Sequence, residues 1–152
     1  MTTIKRTLPY PVWLEQAAKF LSVGILNTAL DASLYFVLTR WLTLRYAAAS
    51  LTGYSGQGFS ALQTQAKGIS YGVGIVNSFY WNKSWTFKSD AGTVVAFVPF
   101  ALANLAALAI NAGVMHICLN ALALHEIVSL VLATGITFLW NFIVSKFFIF
   151  KR

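Results

Sequence analysis

Apolar residues along this chain fall into four long blocks, each near the roughly 20 residues that a helix needs to cross a bilayer. The blocks predict spans over residues 17–42, 64–85, 94–119 and 127–150. A polar interval at 40–66, with Tyr54, Gln57, Gln63 and Gln65 among small residues, reads as a loop, and tight turns fall at 89–93 and 124–126. The pattern therefore predicts a single all-α integral membrane domain over residues 1–152, with no room for a separate soluble part. Residues 1–16, with Pro9, Pro11 and Trp13, read as an interfacial lead-in.

The polar residues inside these blocks are few and patterned. Asn27 and Asp31 stand four apart in the first span and share a helix face, with Asp31 near the midpoint. The third span carries Asn104 and Asn111, seven apart, and the fourth a stripe of Thr134, Thr137, Asn141 and Ser145. Such stripes serve helix packing more often than chemistry. The second span leaves the membrane through Asn77, Tyr80, Trp81, Asn82, Lys83 and Trp85, followed by Lys88.

A related exit closes the chain. Placing Lys83 over Lys146 also aligns Phe79 with Phe142, Trp85 with Phe148, Phe87 with Phe150 and Lys88 with Lys151. Phe20 and Asn27 likewise have the spacing of Phe97 and Asn104. The expected architecture is two tandem helical hairpins forming a parallel repeat, related by an axis along the membrane normal.

Composition supports a membrane protein. Of the 152 residues 58% are hydrophobic and 10% charged, against about 25% charge in soluble domains, and the mean hydropathy is +0.69. The net charge of +7 is placed unevenly. Four crossings put Lys5, Arg6, Lys19, Lys83, Lys88, Lys146, Lys151 and Arg152 on one side and Arg40, Arg45 and Lys67 on the other. Both termini are therefore expected in the cytoplasm. The apolar run from Phe20 to Trp41 is too long for the roughly 7 to 15 residues of a signal-peptide core, so it should remain as a transmembrane helix. The single cysteine, Cys118, has no His or Cys partner at metal-ligand spacing, and no metal or other cofactor is expected.

Three segments in order carry a family resemblance: KFLSVGILNTALD at Lys19–Asp31, VGIVNSFYWNKSWTFKS at Val73–Ser89 and NFIVSKFFIFKR at Asn141–Arg152. With these the chain resembles the GtrA-like family of small four-span membrane proteins, from Lys19 to its end. It differs in the Tyr54–Gln65 interval, which is longer and richer in Gly and Gln. The resemblance implies transfer of polyprenyl-phosphate-linked monosaccharides across the bacterial inner membrane for cell-envelope glycan modification. A polyprenyl-phosphate glycosyltransferase and further copies of the chain are partners to consider beside membrane lipids; nucleic acid is not.

Within that frame each polar residue has two readings. Asp31 costs at least about 2.5 kcal/mol at the bilayer centre on insertion scales, so it should face a wet or protein-lined interior. There it either meets sugar hydroxyls or a coupling proton, or makes a structural bond to a residue such as Asn104. Lys83 and Lys146 either snorkel to the interface or flank one lipid phosphate. Asn77, Asn82, Asn104 and Asn141 can both donate and accept, as a polyhydroxylated ligand needs, or can join helices. Trp81 and Trp85 either stack on a pyranose or belong to the interfacial aromatic belt. With four acidic residues in all, the chain lacks ligands for a metal-dependent glycosyltransferase.

The function expected from sequence is a non-enzymatic flippase for a polyprenyl-phosphate monosaccharide. Lys83 and Lys146 would attract the phosphate, and Asn27, Asp31, Asn77 and Asn104 would contact the sugar. A small-molecule exporter using Asp31 as its proton site, and a non-transporting partner that recruits a glycosyltransferase, stay open on the residues alone.

Overall fold

Long stretches of Leu, Ala, Val, Ile and Phe with few breakers favour helix wherever the backbone must satisfy its own hydrogen bonds. The computed structural model describes residues 11–50 and 59–151, and these form four helices with no strand. They are α1 (Val12–Ser50), α2 (Phe59–Trp81), α3 (Thr93–His116) and α4 (Glu126–Val144). Stretches over Val12–Arg45, Thr93–Ala121 and Glu126–Ile149 are long and apolar enough to cross a membrane. At 23 residues α2 spans about 35 Å, also long enough, but it carries more polar side chains.

The all-helical membrane fold expected from the sequence is the one observed. The helix ends differ from the expected spans. Helix α1 continues eight residues past Leu42, through a stretch ending in Ala47, Ala48 and Ala49, because alanine has the highest helix propensity and nothing in it breaks a helix. Helix α2 begins at Phe59, inside the interval expected to be a loop. Tyr54 and Gln57 lie outside the described residues, as do Lys5, Arg6 and Pro9.

The chain divides into two compact units. One takes α1 through Ser22 together with everything from Trp81 onward; the other runs from Val23 to Tyr80. In the first, α3 packs along α4. Ala96, Phe100, Ala103 and Ala107 form its buried stripe at i, i+4, i+7 and i+11, and Ser129 and Ala133 of α4 are fully buried. Small residues let two backbones approach where lipid supplies no hydrophobic drive between helices. Large side chains point the other way: Val94, Val95, Leu102 and Leu105 on α3 and Ile127, Val131 and Leu139 on α4 are exposed. That inside-out pattern is what a hydrocarbon solvent selects. Two polar clasps tie the pair, Asn111 Nδ2 donating to Thr137 Oγ1 at 3.2 Å and Trp140 Nε1 to the Ala103 carbonyl at 3.2 Å.

The rest of that unit closes on an aromatic cluster. Phe20 meets Phe87, Phe138 and Phe142 with centroids 5.6 to 6.0 Å apart, and Phe87 stacks on Phe150 at 5.3 Å. Helices α2, α3 and α4 each end in a five-residue π turn, at Asn82–Thr86, Ile117–Ala121 and Ser145–Ile149. The first and third fall at the register that superimposes Lys83 on Lys146. In both, an N–H five residues on closes the turn: Phe87 to the Asn82 carbonyl at 2.9 Å and Phe150 to the Ser145 carbonyl at 2.8 Å. A π turn inserts one extra residue and rotates whatever follows. Here it carries Phe87 and Phe150 inward, to 3% and 2% exposure.

Candidate functional site

The polar groups of the Val23–Tyr80 unit converge on one line between α1 and α2. Asn27 and Asp31 supply the α1 side. On α2, Lys67, Ser70, Tyr71, Gly74 and Asn77 recur every three or four residues and so share a face. Asp31 is held twice, by Lys67 Nζ at 2.5 Å on Oδ2 and by Ser70 Oγ at 2.6 Å on Oδ1. One turn back along α1, Asn27 Oδ1 accepts from Asn77 Nδ2 at 3.3 Å. From Lys67 to Asn77 this polar strip is about 15 Å long.

The local sequence explains the closeness. Ser70 is fully buried, and a Cβ built on Gly74 would stand 3.1 Å from Asn27 Nδ2, so a glycine leaves room for the amide. The Ser70 hydroxyl also lies 3.1 Å from the Lys67 carbonyl, and with a single proton it donates fully to one acceptor at a time. Lys67 Nζ sits 5.7 Å from the Tyr35 ring centroid, a cation–π contact that adds to the ion pair.

The ion pair is neutral as a whole yet unequally covered. The Asp31 side chain keeps 21% of its surface and Lys67 keeps 55%. The ammonium can therefore leave its carboxylate for another anion, while the carboxylate stays against Ser70. Chemically the strip offers amide donors and acceptors, a hydroxyl, a carboxylate and one mobile cation, a set suited to sugar hydroxyls and a phosphate.

Of the residues singled out from sequence, the structure brings Asn27, Asp31 and Asn77 together here. Trp81, Asn82, Lys83, Trp85, Asn104, Asn141 and Lys146 belong to the other unit. There Lys83 Nζ donates to Thr93 Oγ1 at 2.9 Å, so its nearest anchor is the start of α3. Lys146 Nζ lies 5.6 and 5.4 Å from the Phe142 and Phe147 ring centroids. Trp81 and Trp85 meet edge to face at 6.3 Å, and Lys19 Nζ is 5.5 Å from the Trp85 centroid. Asn82 is buried at 1% exposure, and Asn104 Nδ2 donates to the Phe100 carbonyl of its own helix at 2.9 Å.

Lys67, Ser70 and Gly74 were missed by the sequence reading, which placed Lys67 with Arg40 and Arg45 as a flanking charge. The signal was present: Lys67, Ser70, Gly74 and Asn77 keep helical spacing with one another, and the stripe points at whatever faces it.

The family model described as GtrA/DPMS, transmembrane domain, matches residues 56–150. The uncharacterized membrane protein YngA of Bacillus subtilis (strain 168) is 28% identical over 141 residues, which are 90% of this chain and 80% of the relative.

Proposed function

Because the chain belongs to the GtrA/DPMS transmembrane-domain family, whose role is the handling of lipid-linked sugars in membranes, we propose that it is a flippase for a polyprenyl-phosphate-linked monosaccharide. It would carry that lipid from the cytoplasmic to the outer leaflet of a bacterial inner membrane, without acting as an enzyme. The observation that carries this reading is the polar strip of Asn27, Asp31, Lys67, Ser70 and Asn77 along two membrane helices.

A polyprenyl tail needs no help in hydrocarbon; the sugar and phosphate do, because each unsatisfied polar group there costs several kcal/mol. Asn27 and Asn77 exchange their mutual bond for bonds to sugar hydroxyls. Lys67 exchanges Asp31 for the phosphate, and Asp31, left with Ser70, accepts from a hydroxyl in turn. Each group thus has a partner before and after the lipid enters, which keeps the path from stranding a charge.

The pairing of Asp31 with Lys67 also bears on the exporter reading. A proton carrier needs an acid that can be occupied by a proton, and a carboxylate already matched by an ammonium and a hydroxyl is poorly placed for that. The basic residues divide as eight against Arg40, Arg45 and Lys67, which favours cytoplasmic termini.

The test is transport by purified protein in liposomes containing a labelled polyprenyl-phosphate monosaccharide, with leaflet position read by an impermeant reagent. Acceleration over empty vesicles is expected, and Asn27→Ala with Asn77→Ala should reduce it. A rate equal to that of protein-free vesicles would refute the assignment. If a glycosyltransferase co-purifies while transport is nil, the chain is a recruiting partner instead.

A further inference from the structure

The Asp31–Lys67 pair also fixes how much charge a headgroup brings into the membrane. Between Val23 and Tyr80, the unit that holds the strip, Asp31 is the single acid of the sequence and there is no histidine. The other acids and both histidines stand at helix ends or in turns of the other unit. Glu15 lies in the first turn of α1, Asp90 before α3, His116 at the end of α3, His125 at the cap of α4 and Glu126 in its first turn. At mid-span the acids and histidines that could carry a proton therefore reduce to Asp31.

Asp31 is already occupied. Lys67 Nζ lies 2.5 Å from Oδ2 and the Ser70 hydroxyl 2.6 Å from Oδ1, so both carboxylate oxygens accept from a donor and the two formal charges cancel. Asn27, Ser70 and Asn77 add amides and a hydroxyl, and no charge. An ammonium has three N–H donors, so Lys67 can serve a second anion while still serving Asp31. A headgroup with one negative charge then gives a neutral strip one net negative charge, and while Lys67 bridges the two anions nothing favours a proton on the carboxylate.

We infer that the strip moves its anionic headgroup as uncompensated negative charge, driven by the membrane potential, with no ion coupled to it. The inference rests on the flippase reading and concerns what drives it. In a membrane that is negative on the cytoplasmic side, outward movement of one negative charge runs downhill through the whole potential. Each tenfold difference between the leaflets corresponds to about 59 mV. The pair is suited to this in both of its members. A lysine alone would hold the anion at mid-membrane, and a carboxylate alone would repel it.

The experiment reads the steady-state leaflet ratio of a trace of labelled polyprenyl-phosphate monosaccharide in proteoliposomes, with the potential set by potassium and valinomycin. That ratio does not depend on which way round the protein inserts. A tenfold potassium gradient, interior negative, should enrich the outer leaflet about tenfold, and the reversed gradient the inner leaflet by as much. A pH gradient at zero potential should leave the leaflets equal. Asp31→Asn should slow the approach to steady state, because Lys67 then holds the anion without a competitor, and should leave every ratio as it was. Equal leaflets at all potentials, or a ratio that follows the pH gradient, would overturn the inference while transport itself stood. So would a potential dependence seen only in Asp31→Asn, since Asp31 would then carry a proton in the native chain. No movement beyond that of protein-free vesicles would refute the flippase reading, and the inference with it.

Discussion

Removing the ammonium from the Asp31–Lys67 pair should cost more than removing the carboxylate. In Lys67→Met the Asp31 carboxylate keeps the Ser70 hydroxyl at 2.6 Å but loses its counter-charge. Deleting one partner of a buried pair costs about 3–5 kcal/mol, and a lone Asp at mid-membrane about 2.5–3.5 kcal/mol on insertion scales. Asp31 sits within one turn of the middle of the 12–45 span and retains 21% exposure, so about 2–3 kcal/mol is expected. In Asp31→Asn the amide still accepts from Ser70, and Lys67, 55% exposed, can turn toward water or headgroups, so the cost should be near the ~1 kcal/mol upper end for exposed pairs. The double variant has no stranded charge and should be more stable than Lys67→Met alone. Unfolding of each variant in neutral-lipid bicelles, titrated with dodecyl sulfate and followed by circular dichroism, gives the four free energies of the cycle. Two single costs of equal size that add to within about 0.5 kcal/mol would show no coupling, and the reasoning would fail.

Three further outcomes follow from particular positions. Gly72→Ala, which meets open space, should stabilise α2 by about 0.5–1 kcal/mol through helix propensity, whereas Gly74→Ala should lose that gain by pressing on Asn27 and should slow transport; equal stabilisation by both would refute the close approach. Thr86 Oγ1 is buried with no hydrogen-bond partner among the described residues, so Thr86→Val should be neutral or stabilising by about 1 kcal/mol in the same unfolding assay, and a loss of that size would contradict it. Lys88 and Ala123 hold φ of 49° and 48° just past π turns, where the Ser89 and Leu124 N–H groups close back on the Lys83 and Cys118 carbonyls. Glycine at either position should stabilise the turn by about 1 kcal/mol, and no change on Ala123→Gly would argue against strain there.

The two exits show how a repeat can hold in backbone and diverge in chemistry. Lys83 and Lys146 occupy the same place in the same π turn. After Lys83 the chain turns at Lys88 and brings Thr93 back within 2.9 Å, which occupies the ammonium. Lys146 instead shares a cavity with Lys151, and so keeps its charge available. Side-chain equivalence was legible in the alignment of the two segments; the neighbour that each lysine finds was not.

Sequence alone determined that this is an all-helical membrane protein, because block length and hydrophobicity are set by the bilayer and need no knowledge of neighbours. It also determined the Asn27–Asp31 face, since four residues on a helix return to one side whatever lies opposite. Helix α1 runs beyond the expected span and α2 starts before it because hydropathy marks what lipid tolerates, while helix continues wherever backbone propensity allows. Only the tertiary structure decided the partner of Asp31. Spacing fixes which residues on one helix align, but which turn of α2 lies against which turn of α1 depends on how closely Ser70 and Gly74 let the two backbones approach. That register turned Lys67 from a flanking charge into the counter-ion of Asp31.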